Sequence, residues 1–369
     1  MSWASGPVKQ SAQTARAQPA FSFTGPFTYP VGLEPMEACA ADFDLDGYLD
    51  IALANMADGT FSVLFNEGNG RFEPQVKFAS GVGPMSIISL NLNSDKWPDL
   101  AVANFGSKNV TLFVNDGHRA FSKVRTLYGG DAPWHLAWAD LNSDSLPEIV
   151  VLDADNFTKD DTGQILIYAP DSDSGYELMQ QIRVGAYPYY FQLLDWNGDG
   201  DLDLWVMNFH SQDALLLENK HGKFRTKEVI PFDTRCVSMF CGKLNPDQPD
   251  ILAITSLDSL LVVYDQDLNL VETHHLGFAP FYVTAADLNN DSDQDLILAS
   301  LYQNKLALWE NTGLGFRPGL TVGTERMPYW IVPTDLDHDG DIDLVVTNHN
   351  SNSVSVWLNQ HFSSILHKN

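Results

Sequence analysis

The stretch that decides the fold is DFDLDGYLDIALAN at residues 42–55, in which an acidic loop leads directly into a short apolar strand. The same pattern returns six times, and successive copies begin 44 to 55 residues apart. The further copies begin at Asn91, Asp140, Asp195, Lys243, Asp287 and Asp335. A period of this length indicates one supersecondary unit repeated along the chain, and such an array is expected to form a single domain.

Each repeat is predicted to contain four strands. In the first repeat, apolar or alternating stretches cover residues 36–41, 51–54, 61–65 and 72–78, and a Gly- and Asn-rich turn at 66–70 separates the last two. A proline stands seven residues before the loop in every repeat except the fifth, where Cys236 takes its place. Proline suits the first position of a strand because it has no backbone N–H to pair. Four strands in about 49 residues correspond to one propeller blade.

The two ends of the array predict how the ring closes. The seventh repeat stops after its third strand, at residues 353–358, whereas residues 21–29 resemble the outer strands of the other repeats. An N-terminal strand that completes the last blade would remove the open edge of the sheet. The prediction is therefore an all-β, seven-bladed propeller of four-stranded blades over residues 20–360, preceded by a disordered leader at 1–19 and followed by a tail at 361–369.

The composition excludes two classes of partner. The formal net charge is −27 at pH 7, and many of the 48 Asp and Glu residues lie in the repeated loops. Because such a surface repels phosphate groups, no nucleic-acid partner is expected. Membrane insertion is not expected either, since no apolar run reaches the roughly 18–20 residues of a membrane helix. The three cysteines are expected to be buried thiols, although one pair, Cys236 with Cys241, stays open.

The acidic loops have the spacing of a calcium site. Oxygen side chains at loop positions one, three, five and nine, with a backbone carbonyl near seven, match the hard oxygen ligands that Ca²⁺ prefers. The alternative, Asp and Asn that only build tight turns, does not account for repeated carboxylates at positions five and nine. We therefore predict several Ca²⁺ ions, up to six. The predicted ligands are Asp42, Asp44, Asp46, Asp50, Asn91, Asn93, Asp95, Asp99, Asp140, Asn142, Asp144, Glu148, Asp195, Asn197, Asp199, Asp203, Asp287, Asn289, Asp291, Asp295, Asp335, Asp337, Asp339 and Asp343.

The fifth loop is predicted to bind no metal. Lys243 replaces its first ligand, and one residue is missing before Asp250. The Lys243 ammonium is expected to pair with Asp247 or Asp250 in place of an ion. In the other six loops the clustered carboxylates repel one another, so metal binding is expected to stabilise the fold.

With these motifs the chain resembles the FG-GAP/VCBS repeat family, the seven-bladed propellers of integrin alpha subunits and of many secreted microbial proteins. The core D-x-D/N-x-D-G-x-x-D and its preceding proline are intact in repeats one, four and seven, whereas repeats two, three and six lack the glycine. The resemblance covers about residues 20–360. It implies calcium hairpins on one face, partner binding mostly on the opposite face, and activities that range from adhesion and lectin-like binding to lyase or dehydratase chemistry.

On that opposite face the resemblance places the residues that follow each proline and those that end each second strand. Their aromatic rings, amides and imidazoles suit carbohydrate recognition, because rings pack on sugar C–H faces while polar groups bind hydroxyls. The alternative is that the rings fill the central channel and the amides cap turns. The predicted ligand-binding residues are Glu37, Trp134, His135, Tyr189, Tyr190, Asn208, His210, Tyr282, Tyr302, Tyr329, Trp330, Asn348 and His349.

Three functions stay open at this point. The favoured one is a secreted propeller, extracellular or periplasmic, that binds a glycan or a protein surface. The second is an enzyme of lyase, dehydratase or cyclase type acting on a small-molecule substrate, and the third is a structural or assembly propeller. No nucleophile elbow, phosphate loop or zinc motif supports the enzyme. Its candidate acid–base residues are His135, Tyr190, His210, Tyr282 and His349.

Two further features concern localisation and metal binding. Residues 1–19 contain no apolar segment of a signal peptide, whereas the sequons at Asn109 and Asn156 fit a secreted protein. The third repeat carries an insertion at 154–163 whose Asp155, Asp160 and Asp161 could form an additional cation site, although a solvated loop is the simpler interpretation.

Overall fold

The computed structural model describes residues 21–155, 162–171, 175–245 and 248–360. Within these ranges 28 strands form seven antiparallel sheets of four strands each. The innermost strands of consecutive sheets contact one another, and the last contacts the first, so the sheets form a closed ring. The predicted leader at 1–19 and tail at 361–369 lie outside the described residues.

Each blade runs from its innermost to its outermost strand in chain order, except that β1 (Phe23–Pro30) belongs to the last blade. Blade 1 consists of β2 (Pro35–Ala41), β3 (Asp50–Asn55), β4 (Thr60–Leu64) and β5 (Val76–Ala79). Blade 2 consists of β6 (Pro84–Leu90), β7 (Asp99–Asn104), β8 (Asn109–Asn115) and β9 (Phe121–Tyr128). Blade 3 consists of β10 (Pro133–Ala139), β11 (Glu148–Asp153), β12 (Thr162–Pro170) and β13 (Tyr176–Ala186).

The remaining blades repeat the same order. Blade 4 consists of β14 (Pro188–Leu194), β15 (Asp203–Asn208), β16 (Asp213–Lys220) and β17 (Lys223–Pro231). Blade 5 consists of β18 (Cys236–Lys243), β19 (Asp250–Ser256), β20 (Leu260–Tyr264) and β21 (Leu270–His275). Blade 6 consists of β22 (Tyr282–Ala286), β23 (Asp295–Ser300), β24 (Lys305–Asn311) and β25 (Phe316–Gly323). Blade 7 consists of β26 (Pro328–Thr334), β27 (Asp343–Asn348), β28 (Ser353–Asn359) and β1.

The predicted fold and the predicted closure are confirmed. β1 pairs antiparallel with β28, from Phe23 opposite Asn359 to Pro30 opposite Ser353, and so becomes the outermost strand of blade 7. The described part of the chain contains a single short 3₁₀ turn at His349–Ser351, and none of its helical segments has the length and apolarity to cross a membrane.

The innermost strands begin where the sequence places its prolines. Five of them start on the repeated proline and β18 starts on Cys236, and in all six the pairing register shifts immediately after this first residue. Pro280 is different, because β22 begins two residues later at Tyr282. The fourth strand of blade 1 is also shorter than the predicted 72–78, since Pro74 has no N–H to continue the ladder and Phe72 forms only an isolated bridge.

The second strand of each blade is the most buried element. In β3, β7, β11, β15, β23 and β27 every residue is buried, because neighbouring blades cover both faces of the sheet. The core therefore consists of apolar clusters at the blade junctions rather than one central cluster. The three cysteines are free thiols, so the Cys236–Cys241 alternative is not realised.

A row of asparagines ties each blade to its neighbour. Each stands at the end of a third strand or just after it, is almost fully buried, and donates its Nδ2–H to the carbonyl of loop position two in the preceding blade. These clasp asparagines and their acceptors are Asn66 to Leu336 O (2.8 Å), Asn115 to Phe43 O (2.8 Å), Asn219 to Leu141 O (2.8 Å), Asn311 to Leu244 O (3.4 Å) and Asn359 to Leu288 O (2.8 Å).

Two of the seven junctions have no clasp asparagine, and both contain a cavity. At the junction of blades 2 and 3 the third strand ends at Pro170, and a cavity of about 460 Å³ lies between Leu92, Trp138 and Tyr176. At the junction of blades 4 and 5, Gln266 donates instead to the Trp196 carbonyl (2.7 Å), beside a cavity of about 410 Å³.

We predict that Asn115→Ala lowers the free energy of unfolding by about 1–3 kcal/mol, because it leaves the Phe43 and Pro98 carbonyls without their amide donor. Asn269→Ala is the matched control, since the amide of this exposed hairpin residue donates only to Asp265. Urea unfolding of both variants measures the difference. Equal stability of the two variants would contradict a role for the clasp between blades.

Candidate functional site

The acidic loops lie between the first and second strands of the blades, and two of them gather three carboxylates each. In each cluster one oxygen from every carboxylate lies within 4.8 Å of the others. The clusters are Asp42, Asp44 and Asp50 in loop 1, and Asp335, Asp337 and Asp343 in loop 7. In loop 7, Asp335 Oδ1 and Asp337 Oδ1 are buried and have no hydrogen-bond partner. An oxygen-only donor set with unsatisfied buried acceptors fits Ca²⁺, so calcium at these two loops stays our prediction.

In loops 1 and 7, the aspartate at position five of the loop stabilises the turn. Asp46 accepts a bond from Tyr48 N at 2.9 Å, and Asp339 accepts one from Asp341 N at the same distance. An arginine of blade 2 forms ion pairs with blade 1. Arg119 Nη2 lies 2.6 Å from the Asp44 carboxylate in loop 1, and Arg119 Nη1 lies 3.0 Å from the Glu73 carboxylate. This ion pair offsets part of the carboxylate repulsion in loop 1, whereas loop 7 has no lysine or arginine pair among the described contacts.

In loops 4 and 6 an asparagine takes position three, and backbone N–H groups hold the acids. Asp195 accepts bonds from Asp199 N (3.0 Å) and Gly200 N (2.9 Å), while Lys220 pairs with the Asp199 carboxylate. In loop 6, the Asp287 carboxylate accepts bonds from the N–H groups of residues 291 and 292. The side-chain Oδ1 of Asn289 accepts a bond from the N–H of residue 291 at 3.1 Å. Asn197 accepts the corresponding bond at 2.9 Å. Calcium ligation by the side chains of these two loops stays a prediction.

In loops 2 and 3, asparagine side-chain amides donate hydrogen bonds to oxygens of the acidic residues. In loop 2, Asn93 Nδ2 donates to Asp95 Oδ2 at 2.8 Å and Asn91 Nδ2 donates to the Asp95 carbonyl at 2.6 Å. In loop 3, Asn142 Nδ2 donates to Glu148 Oε1 at 2.7 Å, while Asp140 and Asp144 accept backbone N–H bonds. The side-chain oxygens of Asn93 and Asn142 accept the N–H of loop position five at 3.1 and 2.8 Å, as the asparagines of loops 4 and 6 do.

The carboxylate at loop position nine is a structural element as well as a predicted ligand. Asp50 is fully buried, and its two oxygens accept bonds from Phe43 N at 2.9 Å and from Asn66 N at 2.8 Å. The same pair of bonds recurs at Asp99, Asp295 and Asp343. Asp203 accepts the bond from Asn219 N at 2.8 Å. The acid thus joins the start of its loop to the end of the third strand.

Burial has an electrostatic consequence at these positions. Desolvation raises the pKa of Asp50, Asp295 and Asp343 to about 7, although the backbone N–H bonds act in the opposite direction. Neighbouring carboxylates of the same loops raise these pKa values further. A divalent cation would favour the ionised form, so metal and proton are expected to compete at these loops.

Loop 5 differs from the other loops in sequence, and its lack of a metal ion stays a prediction. The predicted ion pair between Lys243 and Asp250 is not formed, because no contact within 4.0 Å joins them among the described ion pairs. The alternative partner Asp247 lies outside the described residues. Lys243 and Asp250 are nevertheless direct neighbours across β18 and β19.

Two stacked layers of side chains lie at the centre of the ring. The first residue after each repeated proline, or after Cys236 in blade 5, belongs to the first layer, and the second residue belongs to the second layer. The first layer contains mainly apolar or aromatic side chains, and the second adds polar groups. The first layer consists of Met36, Met85, Trp134, Tyr189, Val237, Phe281 and Tyr329, and the second of Glu37, Ser86, His135, Tyr190, Ser238, Tyr282 and Trp330. The layers therefore contain eight of the predicted ligand-binding residues in one place.

The second layer is held by a polar contact across the channel. His135 Nδ1 lies 2.8 Å from Glu37 Oε1, and both residues are buried although they belong to blades 3 and 1. The His135 ring also packs on Tyr190 and Trp330, with ring centroids 4.9 and 5.6 Å away. This contact links two blades that are not neighbours in the ring.

The rings of the two layers pack against one another and leave little free space. Tyr282 lies 4.3 Å from Trp330 between ring centroids, and the Tyr189 and Tyr329 hydroxyls are 3.3 Å apart. The cavity among them measures about 20 Å³, which is room for about one water. Burial raises the pKa of Tyr190 and Tyr282 well above the usual value, so both phenols stay protonated.

The predicted amide ligands lie inside the blades. Asn208 and Asn348 are at most 1% exposed. Asn208 Nδ2 donates to Asp213 at 2.6 Å, and Asn348 Nδ2 donates to Ser355 at 2.9 Å, so each amide fastens the turn between its second and third strands. A Cβ on Gly185 would lie 2.5 Å from Asn208 Cγ, which explains the glycine there. These two amides are therefore not on the accessible face, because their donors are used within the blade.

The other predicted residues surround the layers at the face opposite the loops. Tyr302 is 73% exposed, whereas His210 and His349 are half-buried and each has a buried Nδ1 without a partner. Burial lowers the pKa of His349. The sequence interpretation missed Tyr187, whose ring packs on His210 at 4.9 Å and on Phe209 at 5.7 Å.

Two smaller predictions concern the insertion and the sequons. Asp155 N donates to Asp153 at 3.1 Å, while Asp160, Asp161 and Asn156 lie outside the described residues. At the other sequon, Asn109 Nδ2 donates to the Ser107 carbonyl at 3.1 Å and Thr111 is 1% exposed. A glycan on Asn109 would have to break this local contact.

The repeats themselves decide the family. The model of the FG-GAP-like repeat matches three segments, residues 42–102, 91–151 and 287–346. The chain is a propeller of FG-GAP-like repeats. No curated protein is significantly similar to it.

Solved structures share the fold of this FG-GAP propeller. In the crystal structure of BBS1N in complex with ARL6DN, soaked with mercury, the matching chain has a TM-score of 0.67 and 12% identity, covering 92% of this chain and 97% of that chain. The same complex soaked with lead gives a TM-score of 0.66 and 11% identity, covering 91% and 96%. Likeness at this level of identity shows the fold alone.

One feature of the FG-GAP repeats escaped the sequence interpretation although its signal was present. The clasp asparagine follows the position-nine acid by 16 residues in five repeats, as in Asp50 and Asn66. Repeats three and five break this spacing, and the clasp is missing in the same two blades. A search for a second fixed spacing beside the loop pattern would have found it.

We predict that the stability of the chelated protein falls as pH rises from about 5 to 8. The folded-state pKa of about 7 at Asp50, Asp295 and Asp343 lies above the unfolded value of 3.8, so the folded state binds more protons in this range. Thermal melts at both pH values measure the effect. Ca²⁺ should raise the Tm more at pH 8 than at pH 5, and Mg²⁺ is the control because it demands a stricter octahedral site. The calcium prediction would be contradicted if neither a chelator nor added Ca²⁺ changed the Tm.

We predict that Glu37→Ala and His135→Ala each lower the free energy of unfolding by about 3 kcal/mol, because each leaves a buried polar partner unpaired. The double variant should cost clearly less than the sum, since the two groups form one contact. Denaturant unfolding of all three variants measures the coupling. Strictly additive losses would show that the contact across the channel contributes nothing.

Proposed function

We propose that this chain is a calcium-stabilised, secreted propeller that binds a protein surface with the face opposite its acidic loops. The observation that carries the proposal is the closed packing of the two central layers. With only about 20 Å³ free among the rings, this face presents a filled surface and no ligand-sized depression. A protein partner can use such a surface, whereas a sugar or a small substrate needs an opening.

Exposed apolar side chains on the same face support a protein partner. Leu33 and Val82 precede the first strands of blades 1 and 2 and are 50% and 67% exposed. Tyr128 ends an outer strand at this face with 57% exposure, and Tyr302 lies in the turn between the second and third strands of blade 6 with 73% exposure. Apolar side chains left in water on one face are typical of binding surfaces, and aromatic residues are enriched in them.

A structural neighbour gives independent support at the level of the fold. The similar BBS1N structure was crystallised in complex with a protein, ARL6DN. A chain of similar fold therefore occurs in a complex, which supports the proposal of a partner for this chain. The closed centre gives the enzyme hypothesis no comparable support, because His135, Tyr190 and Tyr282 are packed among rings with room for one water.

We predict that Val82→Asp combined with Tyr302→Ala removes binding of the protein partner without loss of stability, since both side chains are mostly exposed. Leu314→Asp is the matched control, because Leu314 is 98% exposed in a hairpin on the loop-bearing face. Immobilised wild type, double variant and control would be compared for proteins captured from a cell-surface and secretome preparation, with a glycan array in parallel. Equal capture by all three, or array signals lost in the double variant, would overturn the proposal.

A further inference from the structure

The junction of blades 4 and 5 contains a buried carboxylate oxygen without a hydrogen-bond donor among the described residues. Asp250 occupies loop position nine of the fifth repeat and is 6% exposed, like the acids at this position in the other blades. Its Oδ1 is buried and accepts no hydrogen bond from any residue that the structure describes. A buried carboxylate oxygen without a donor is costly, so each such group in a native protein needs an explanation.

The shortened fifth repeat explains why the usual donors are missing. At Asp50 the two donors are the N–H of loop position two and the N–H of the clasp asparagine. The fifth loop is one residue shorter, and its third strand is followed by Asp265 and Gln266 instead of an asparagine. The acid is thus retained in the buried position while both of its backbone partners are lost.

The unpartnered carboxylate lines a cavity that is large enough for a side chain. The cavity measures about 410 Å³. Its walls are Leu194, Asp195, Gly198, Lys243, Pro249, Asp250 and Gln266. Leu194 and Pro249 provide apolar surface beside the acid, and Gln266 uses its Nε2 on the Trp196 carbonyl, which leaves its Oε1 as a second acceptor. The cavity therefore offers acceptors and apolar walls.

The Lys243 ammonium does not donate to Asp250 Oδ1. It is exposed, lies across the strand pair from Asp250, and has no ion pair with it among the described contacts. An ammonium at the mouth of the cavity still acts on any ligand that enters, because it repels cations and attracts anions. Its effect on binding therefore reports the sign of the ligand's charge.

We propose that this cavity receives the guanidinium group of an arginine side chain from a protein segment that docks on the loop-bearing face. A guanidinium has five donors in a planar fork, which can serve Asp250 Oδ1 and Gln266 Oε1 together while its flat faces lie against apolar walls. It is also more weakly hydrated than an ammonium, which lowers the cost of entering a half-enclosed site. The net charge of −27 attracts basic segments to this surface.

The test uses two blocked peptides, acetyl-Gly-Gly-Arg-Gly-Gly-amide and the same peptide with citrulline in place of arginine. They are titrated into the full, calcium-loaded chain while the backbone amide resonances of Asp250 and Gln266 are followed by NMR. The arginine peptide should bind at least tenfold more tightly than the citrulline peptide. Asp250→Asn should weaken its binding at least tenfold, and Lys243→Met should strengthen it at least twofold. Asp267→Asn is the matched control, because it removes one exposed negative charge at the same junction outside this cavity.

Several outcomes would overturn the proposal. Weaker binding in Lys243→Met would show that the cavity takes an anion, and equal losses in Asp250→Asn and Asp267→Asn would reduce the effect to net charge. Free arginine that binds more tightly than the blocked peptide would assign the site to a small molecule, and displacement of the peptide by further Ca²⁺ would assign it to a metal. The Tm of Asp250→Asn should equal or exceed that of the wild type, since the variant removes a buried unpaired charge. A large drop in Tm would show that the carboxylate already has a structural partner.

Discussion

The structure depends on a buried carboxylate at the first position of each second strand. Side chains at this position are enclosed between blades, where donors to the carboxylate oxygens lower the cost of burying an acid. In four blades they accept the N–H of loop position two and the N–H that follows the third strand. The same asparagine that provides the second N–H donates its side-chain amide to the preceding blade. One acid therefore fixes its loop, its own blade and, indirectly, a neighbouring blade.

Much of the fold could be predicted because its signals are local. The period of the acidic loops, the prolines before them and the missing fourth strand of the last repeat determined the blade number and the closure. The predicted calcium ligands also rest on a local signal, a spacing within nine residues. The partners of those loops could not be predicted, since Arg119 reaches Asp44 only because the ring brings blade 2 beside loop 1. Contacts between repeats depend on packing, which periodicity does not describe.

The centre of the ring shows where sequence patterns are ambiguous. Aromatic residues after a strand-opening proline suit an open binding depression and a filled channel equally well, and both interpretations were open. The structure contains the filled channel, in which Trp330 packs on Tyr282 and Glu37 meets His135 across the ring. The choice depends on the radius of seven blades and on side-chain volume together. A pattern of residue types specifies neither the radius nor the packed volume. For the same reason the sequence could not distinguish the buried Asn208 and Asn348 from surface amides.

The closure by β1 also fixes where the chain enters and leaves the ring. Phe23 stands opposite Asn359, and Gln360 N donates to the Ser22 carbonyl at 2.7 Å, so the two ends of the described chain are hydrogen-bonded neighbours. Both lie on the side of the acidic loops. Any anchor, linker or fused module joined at either end would therefore attach from that side, and the aromatic side would point away from the attachment. A tether of this kind orients the propeller without covering the surface that faces outward.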